Sequence, residues 1–180
     1  MKEINMSINP ELNICVVKTN TITGEKTWHY GKNIVTNDGD LYYAQQAVEA
    51  TPTSDFGGSN GRMELRTGSA TPAKADVFTQ VTTPIPTSIQ PMDSNYPKVN
   101  DGDSDNTGAG TDIATWLASW TTSDFNSNAI IGGCIHVAGG ASGATTPGAT
   151  KLLTHFSLTS FNKTTSDTLK IFVNHTFNGT

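Results

Sequence analysis

Charge is scarce in this chain. Only 15% of residues are charged, and 16 acidic against 11 basic side chains leave a net charge of −5. No stretch gathers Lys and Arg, so direct nucleic-acid binding is not expected, because phosphate contacts need a basic patch. Long apolar runs are also missing. None approaches the roughly twenty apolar residues of a membrane span, so no membrane partner is expected. The opening "MKEINMSINPELN" is polar and holds no apolar signal region, which predicts a soluble chain without an ordinary export signal. Cysteine is nearly absent. Cys15 and Cys134 each sit in an apolar run and are expected as buried free thiols acting as small hydrophobes. A disulfide between them stays open, but two cysteines do not make a disulfide scaffold. No CxxC pair announces a zinc site of that kind.

What is abundant points to strands and turns. The chain has 28 Thr, 17 Gly, 15 Asn and 14 Ser among its 180 residues. Thr favours strands, and Asn, Gly and Ser favour turns. Apolar runs such as "NAIIGGCIHVAG" and "DTLKIFVNHTF" supply surface to bury, which argues against disorder. The length suits one domain over residues 1–180.

Along the chain, "LNICVVKTNTITGEKTWHY" (12–30) predicts a β-hairpin around "TGEK". Asn37 or Asp38 is placed to cap a short helix near residues 38–49, with Leu41, Ala44, Ala47 and Val48 at helical spacing. Residues 50–61 and 141–150 read as loops, and "RMELRTGSATPAK" as a strand and turn. Pro84, Pro86, Pro91 and Pro97 make 82–98 an extended segment crossing a surface or an edge, not a central strand. With the Asp-rich stretch after it, this gives a Pro/Asp-rich loop region at about 82–112. "DIATWLASWTTSDF" fits a helix or a strand; its Thr and Trp favour a strand with Trp116, Ala118 and Trp120 on one face. Gly132 and Gly133 predict a bulge. "KLLTHFSLTSF" and "DTLKIFVNHTF" predict a closing antiparallel pair, with Leu152, Phe156 and Leu158 on one face of the first and Leu169, Ile171, Val173 and Phe177 on one face of the second. Seven or eight such strands predict an all-β antiparallel sandwich, jelly-roll-like, with one short helix and long loops.

Chemistry-bearing patterns are few. His29, His136, His155 and His175 form no HExxH and no local metal pair, and neither GxSxG nor a phosphate loop occurs. No enzyme activity is expected. "NDGDSDNTGAGTD" places Asp101, Asp103, Asp105 and Asp112 at positions 1, 3, 5 and 12 of an EF-hand-type calcium loop. Position 6 is Asn106 where Gly is wanted, and position 12 is Asp instead of the longer Glu. The favoured reading is a solvated polar loop with no cofactor; calcium held by the four aspartates is the alternative. Sequons at Asn162 and Asn174 are attributed to the high Asn and Thr content.

Three stretches, in order, resemble a known group. "GKNIVTNDGDLYYAQQA" is similar to the "G-x-N-x-V-T-N-x-G" opening of many tailed-bacteriophage virion proteins. "MELRTGSATPAKADV" resembles the strand and "TPxKxD" turn that follow in them, and "LLTHFSLTSFNKTTSDTLKIFVNHTFNG" their closing hairpin. Where those chains often carry a Glu before the Gly of "IIGGCIHV", this one has Gly132 and Gly133. The resemblance implies a β-sandwich virion structural protein, assembled in the host cytoplasm and resident in the virion. Within that class the small single domain and mild acidity favour a capsid decoration or cement protein binding the outer capsid surface. Its expected partners are the major capsid protein or other virion proteins, and a homo-oligomer, with a trimer favoured. Ile85, Ile89, Met92 and Tyr96 are candidate interface anchors, with burial in the protein's own core as the equal alternative. A tail, neck or baseplate component is the second reading. A carbohydrate-binding module using Trp116, Trp120 and Tyr96 is the third.

Overall fold

The computed structural model describes residues 13–51, 56, 60–68, 71–78, 83–137 and 151–177. The loops expected at 50–61 and 141–150 lie largely or wholly outside these residues, as does the N-terminal stretch 1–12.

The strands are β1 (Ile14–Asn20), β2 (Lys26–Val35), β3 (Gly61–Arg66), β4 (Gln90–Pro91), β5 (Lys98–Val99), β6 (Ile113–Trp120), β7 (Ser127–Val137), β8 (Leu152–Lys163) and β9 (Asp167–Thr176), with helix α1 (Asn37–Val48) after β2. Among the described residues these nine strands join one antiparallel sheet in the order β4-β3-β7-β8-β2-β1-β9-β6-β5. The protein is therefore all-β, as expected, but its strands form a single sheet curled into a half-barrel instead of two separately ordered sheets.

The period-2 pattern sets the inner face. Ile14, Val16, Met63, Leu65, Trp116, Ala118, Trp120, Ile135, Phe156, Leu158, Leu169, Ile171 and Val173 all point into one buried cluster. The strand choice for 113–120 is thus correct, with Trp116, Ala118 and Trp120 sharing the core face. The bulge near Gly132 is also present, as a register shift between Ile130 and Gly132.

The closing pair is different from expectation. β8 and β9 follow one another through a short turn, yet they are not paired. The β1–β2 hairpin lies between them, with β2 on β8 and β1 on β9. Alternation told which side chains face the core, and that is silent about the partner strand. A further register shift between Ile135 and His136 turns Leu152 to the outer face beside Cys134, away from Phe156 and Leu158. Phe177 lies beyond β9 and is half exposed.

Helix α1 is also rotated from its expected face. Leu41 and Val48 are exposed, and Tyr42 is the buried anchor, edge-on to Phe56. The N-cap is Thr36, not Asn37 or Asp38; its hydroxyl accepts from the Gly39 amide.

The Pro-rich segment does cross between edges. Its residues 84–93 reach from β3 to β6. The Ile85 amide donates to the Leu65 carbonyl at 2.8 Å, β4 pairs with β3, and the Asp93 amide donates to the Leu117 carbonyl at 2.8 Å. Trp120 Nε1 donates to the Ser88 carbonyl at 2.8 Å. This strap spans the opening of the half-barrel and drops Ile85 and Met92 into the core.

The outer face is covered as well. Cys15, Val17, Leu117 and Phe172 form a second buried cluster, with Tyr30 and Tyr96 packed against it. Cys134 and Leu152 form a third, against Phe78. Both cysteines are buried free thiols.

Candidate functional site

Three places on this scaffold gather polar side chains. The first is the Asp-rich loop. It folds back over the outer face of β1, β9 and β6. Asp105 takes Lys26 Nζ at 2.7 Å and Lys170 Nζ at 3.3 Å, and Asp103 takes Lys170 Nζ at 2.9 Å. Burial alone would raise the Asp103 carboxyl, but the Lys170 ammonium and the Asp105 amide hold it below its ordinary value. Asp101 accepts from Asn106 Nδ2 at 3.0 Å and from the Tyr96 hydroxyl at 3.4 Å. Burial, then the Asp101 charge, push that Tyr96 hydroxyl up to about 12. Asn106 and Asn174 exchange two amide hydrogen bonds of 3.0 Å, pinning the loop to β9. Asn174 is therefore committed inside the fold. Asp112 is exposed, and its backbone carbonyl accepts from the Phe177 amide. Among the described residues the four aspartates do not converge as a metal-ligating group.

The second place is a cleft of about 760 Å³ between the start of α1, the end of β9 and the 107–113 turn. At its base runs a hydrogen-bond chain. Trp116 Nε1 donates to the Tyr43 hydroxyl at 2.9 Å, and that hydroxyl shares a 2.5 Å hydrogen bond with His175 Nδ1. His175 Nε2 has no hydrogen-bond partner among the described residues. Burial drives the His175 imidazole down to about 3 and raises the Tyr43 hydroxyl. Asn33 Nδ2 also lines this cleft without a partner. Tyr43 and Phe177 wall the cleft, and their rings meet edge-on at 4.9 Å.

The third place lies on the outer face of β3 and β7. Glu64, Cys134 and His136 bring a carboxylate oxygen, a thiol sulfur and an imidazole nitrogen to within 4.8 Å of one another, and all three are buried. Glu64 and Cys134 are direct register partners, and His136 follows two residues on along the same face. Burial, seconded by Glu64, pushes the Cys134 thiol well up, against the pull of Arg66. Nearby, His155 Nδ1 and Asp76 Oδ2 meet at 2.6 Å; burial lowers the imidazole and Asp76 opposes that.

The expected anchors are distributed. Ile85 and Met92 are buried in the core, which is the alternative weighed for them, while Ile89 and Tyr96 are half-buried. Trp116 and Trp120 are 0% and 1% exposed, so neither is a sugar platform. The cleft and the Glu–Cys–His group escaped the sequence reading, because their residues are spread from 13 to 177 and from 64 to 136. The only local hint was the alternation "CIH", which puts Cys134 and His136 on one strand face. Comparison with protein-family models, with curated proteins and with solved structures finds no match.

Proposed function

We propose that this chain is a structural protein of a tailed-phage particle, and within it a capsid decoration or cement protein. The observation that carries the reading is what the shared "G-x-N-x-V-T-N-x-G" residues do. A Cβ on Gly31 would lie 2.1 Å from the Ser157 carbonyl oxygen, and one on Gly39 would lie 2.3 Å from that of Leu153. The buried Thr36 hydroxyl donates to the Leu152 carbonyl, and the Thr36 amide donates to the Leu153 carbonyl at 3.0 Å. Each of these positions clamps the β2–α1 junction onto β8, and none presents a reactive group. The motif the resemblance rests on thus serves packing, which supports the structural reading. In this proposal the curled sheet is the open form of the sandwich that the resemblance implies. The outer partners are the major capsid protein or other virion proteins, with a homotrimer as the binding unit. Ile89 and Tyr96, half-buried on the strap and loop, remain the anchors on offer.

The test is copy number in purified particles, by quantitative mass spectrometry against the major capsid protein. Copies on the order of hundreds match a symmetric shell. A handful to a few dozen move the protein to the tail, neck or baseplate. Absence from the particle overturns the virion reading.

The cleft supports a second reading, a carbohydrate-binding module, with the sugar placed beside His175, Asn33 and Tyr43 instead of on tryptophans. Its wall sets the Tyr43 and Phe177 rings beside polar lining residues such as Asn33 and Asp40. Glycan-array binding that is lost in Asn33→Ala, with melting unchanged, supports it. An array without hits removes it.

A further inference from the structure

Glu64 and His136 leave a gap of a particular kind. His136 Nδ1 lies 3.2 Å from the Val137 carbonyl, an acceptor, so that nitrogen carries the ring proton. Nε2 then turns its lone pair toward Glu64 Oε2, 3.3 Å away. Two acceptors face each other with their side chains only 2% and 3% exposed, and neither atom has a hydrogen-bond partner among the described residues. A buried carboxyl and a buried imidazole nitrogen at this spacing are closed by a proton or by a metal cation between them. Cys134 completes the third side from the adjacent register position.

We propose that Glu64, Cys134 and His136 are the protein ligands of a divalent transition-metal ion of the zinc type. Three features carry the assignment. A tetrahedral ion with bonds of about 2.0–2.3 Å spaces its ligands about 3.3–3.8 Å apart, and the Glu64–His136 separation already has that length. The mixed oxygen, sulfur and nitrogen set selects zinc, cobalt or nickel over calcium or magnesium, which demand oxygen. The charges also close. The ion binds as Cys134 releases its thiol proton to solvent, a metal–sulfur bond replacing the sulfur–hydrogen bond, and two negative ligands then balance the two positive charges. A neutral centre is what a buried position beside the buried Arg66 accommodates. The fourth coordination position is left to water. The ion would pin β3 to β7 next to the strap, a structural role independent of the virion reading.

The full chain is unfolded and refolded with cobalt(II), then freed of loose metal. Elemental analysis and the thiolate-to-cobalt charge-transfer band are the readouts. The expected result is one cobalt per chain with the band present, both retained in Cys15→Ser and both lost in Cys134→Ser. Cys15 is the only other cysteine, so a band in Cys15→Ser assigns the thiolate even if Cys134→Ser fails to fold. No cobalt in the refolded wild-type chain overturns the proposal and leaves a proton between Glu64 and His136. Cobalt retained without the band, or retained in Cys134→Ser, places the metal elsewhere and overturns it equally.

Discussion

At the scale of single residues, the fold depends on a few buried ionisable groups whose partners come from far along the chain. His175 is 4% exposed and held neutral by burial. Its folded value, about 3, lies below the ordinary histidine value of 6.5. The unfolded chain therefore binds a proton first as pH falls, and stability present above pH 6.5 is lost on the way down toward 3. His155 and His29 are lowered by burial in the same direction. On the order of 2 kcal/mol is expected to vanish between pH 6.5 and 5 through His175 alone. Urea melts at the two pH values check this, and His175→Gln should flatten the difference.

The lysine–aspartate contacts give a second prediction at this scale. Lys170→Ala leaves Asp103 and Asp105 without that partner. The Lys170 side chain is 40% exposed, so solvent screens the pair and the expected loss is about 1 kcal/mol. The loss should shrink as salt is raised, which equilibrium unfolding at two ionic strengths measures. Calcium would have to displace Lys26 and Lys170 to reach these carboxylates. The melting temperature with millimolar calcium should therefore match that with chelator.

At the scale of elements, the β2–α1 junction is where local preference and packing conflict. Gly inside a helix normally costs about 1 kcal/mol relative to Ala. Gly39→Ala should nonetheless destabilise, by about 1–3 kcal/mol, because its Cβ would meet the Leu153 carbonyl oxygen and backbone must move. Thr36→Ala removes the cap and the buried donor to Leu152, for a loss of about 1–3 kcal/mol. Thermal unfolding of both variants tests the sign. A stabilised Gly39→Ala would show that the helix rides free of β8.

At the scale of the whole molecule, the strap decides whether the half-barrel holds its curl. It exchanges hydrogen bonds with β3 on one side and β6 on the other. Ile85→Ala and Met92→Ala should each cost about 2–5 kcal/mol of stability, because both side chains fill the shared core. Ile89→Ala and Tyr96→Ala remove half-buried groups and should change stability less. Denaturation curves of the four variants, set beside particle binding, separate folding from docking: a loss of binding in Ile89→Ala or Tyr96→Ala with stability kept marks the docking face.

Much of this was legible in the residues themselves. Alternation in "IATWLASW" and "TLKIFV" placed Trp116, Trp120, Leu169, Ile171 and Val173 inward, since side chains in a strand change face at every step. The prolines of 84–97 barred a central strand and marked an edge-crossing segment. Thr36 and Gly39 stood in the sequence without showing that they hold β8. Pairing and loop docking belonged to tertiary structure alone, because both join residues far apart in the chain. The β1–β2 hairpin separates β8 from β9 although a short turn links those two. The aspartates of 101–112 had the spacing of an ion loop, and Lys26 and Lys170, brought in by the sheet, took their charge. Alternation set the facing of most strand side chains, but register shifts and packing decided it for Leu152 and for helix α1, and only the closed fold determined which groups meet.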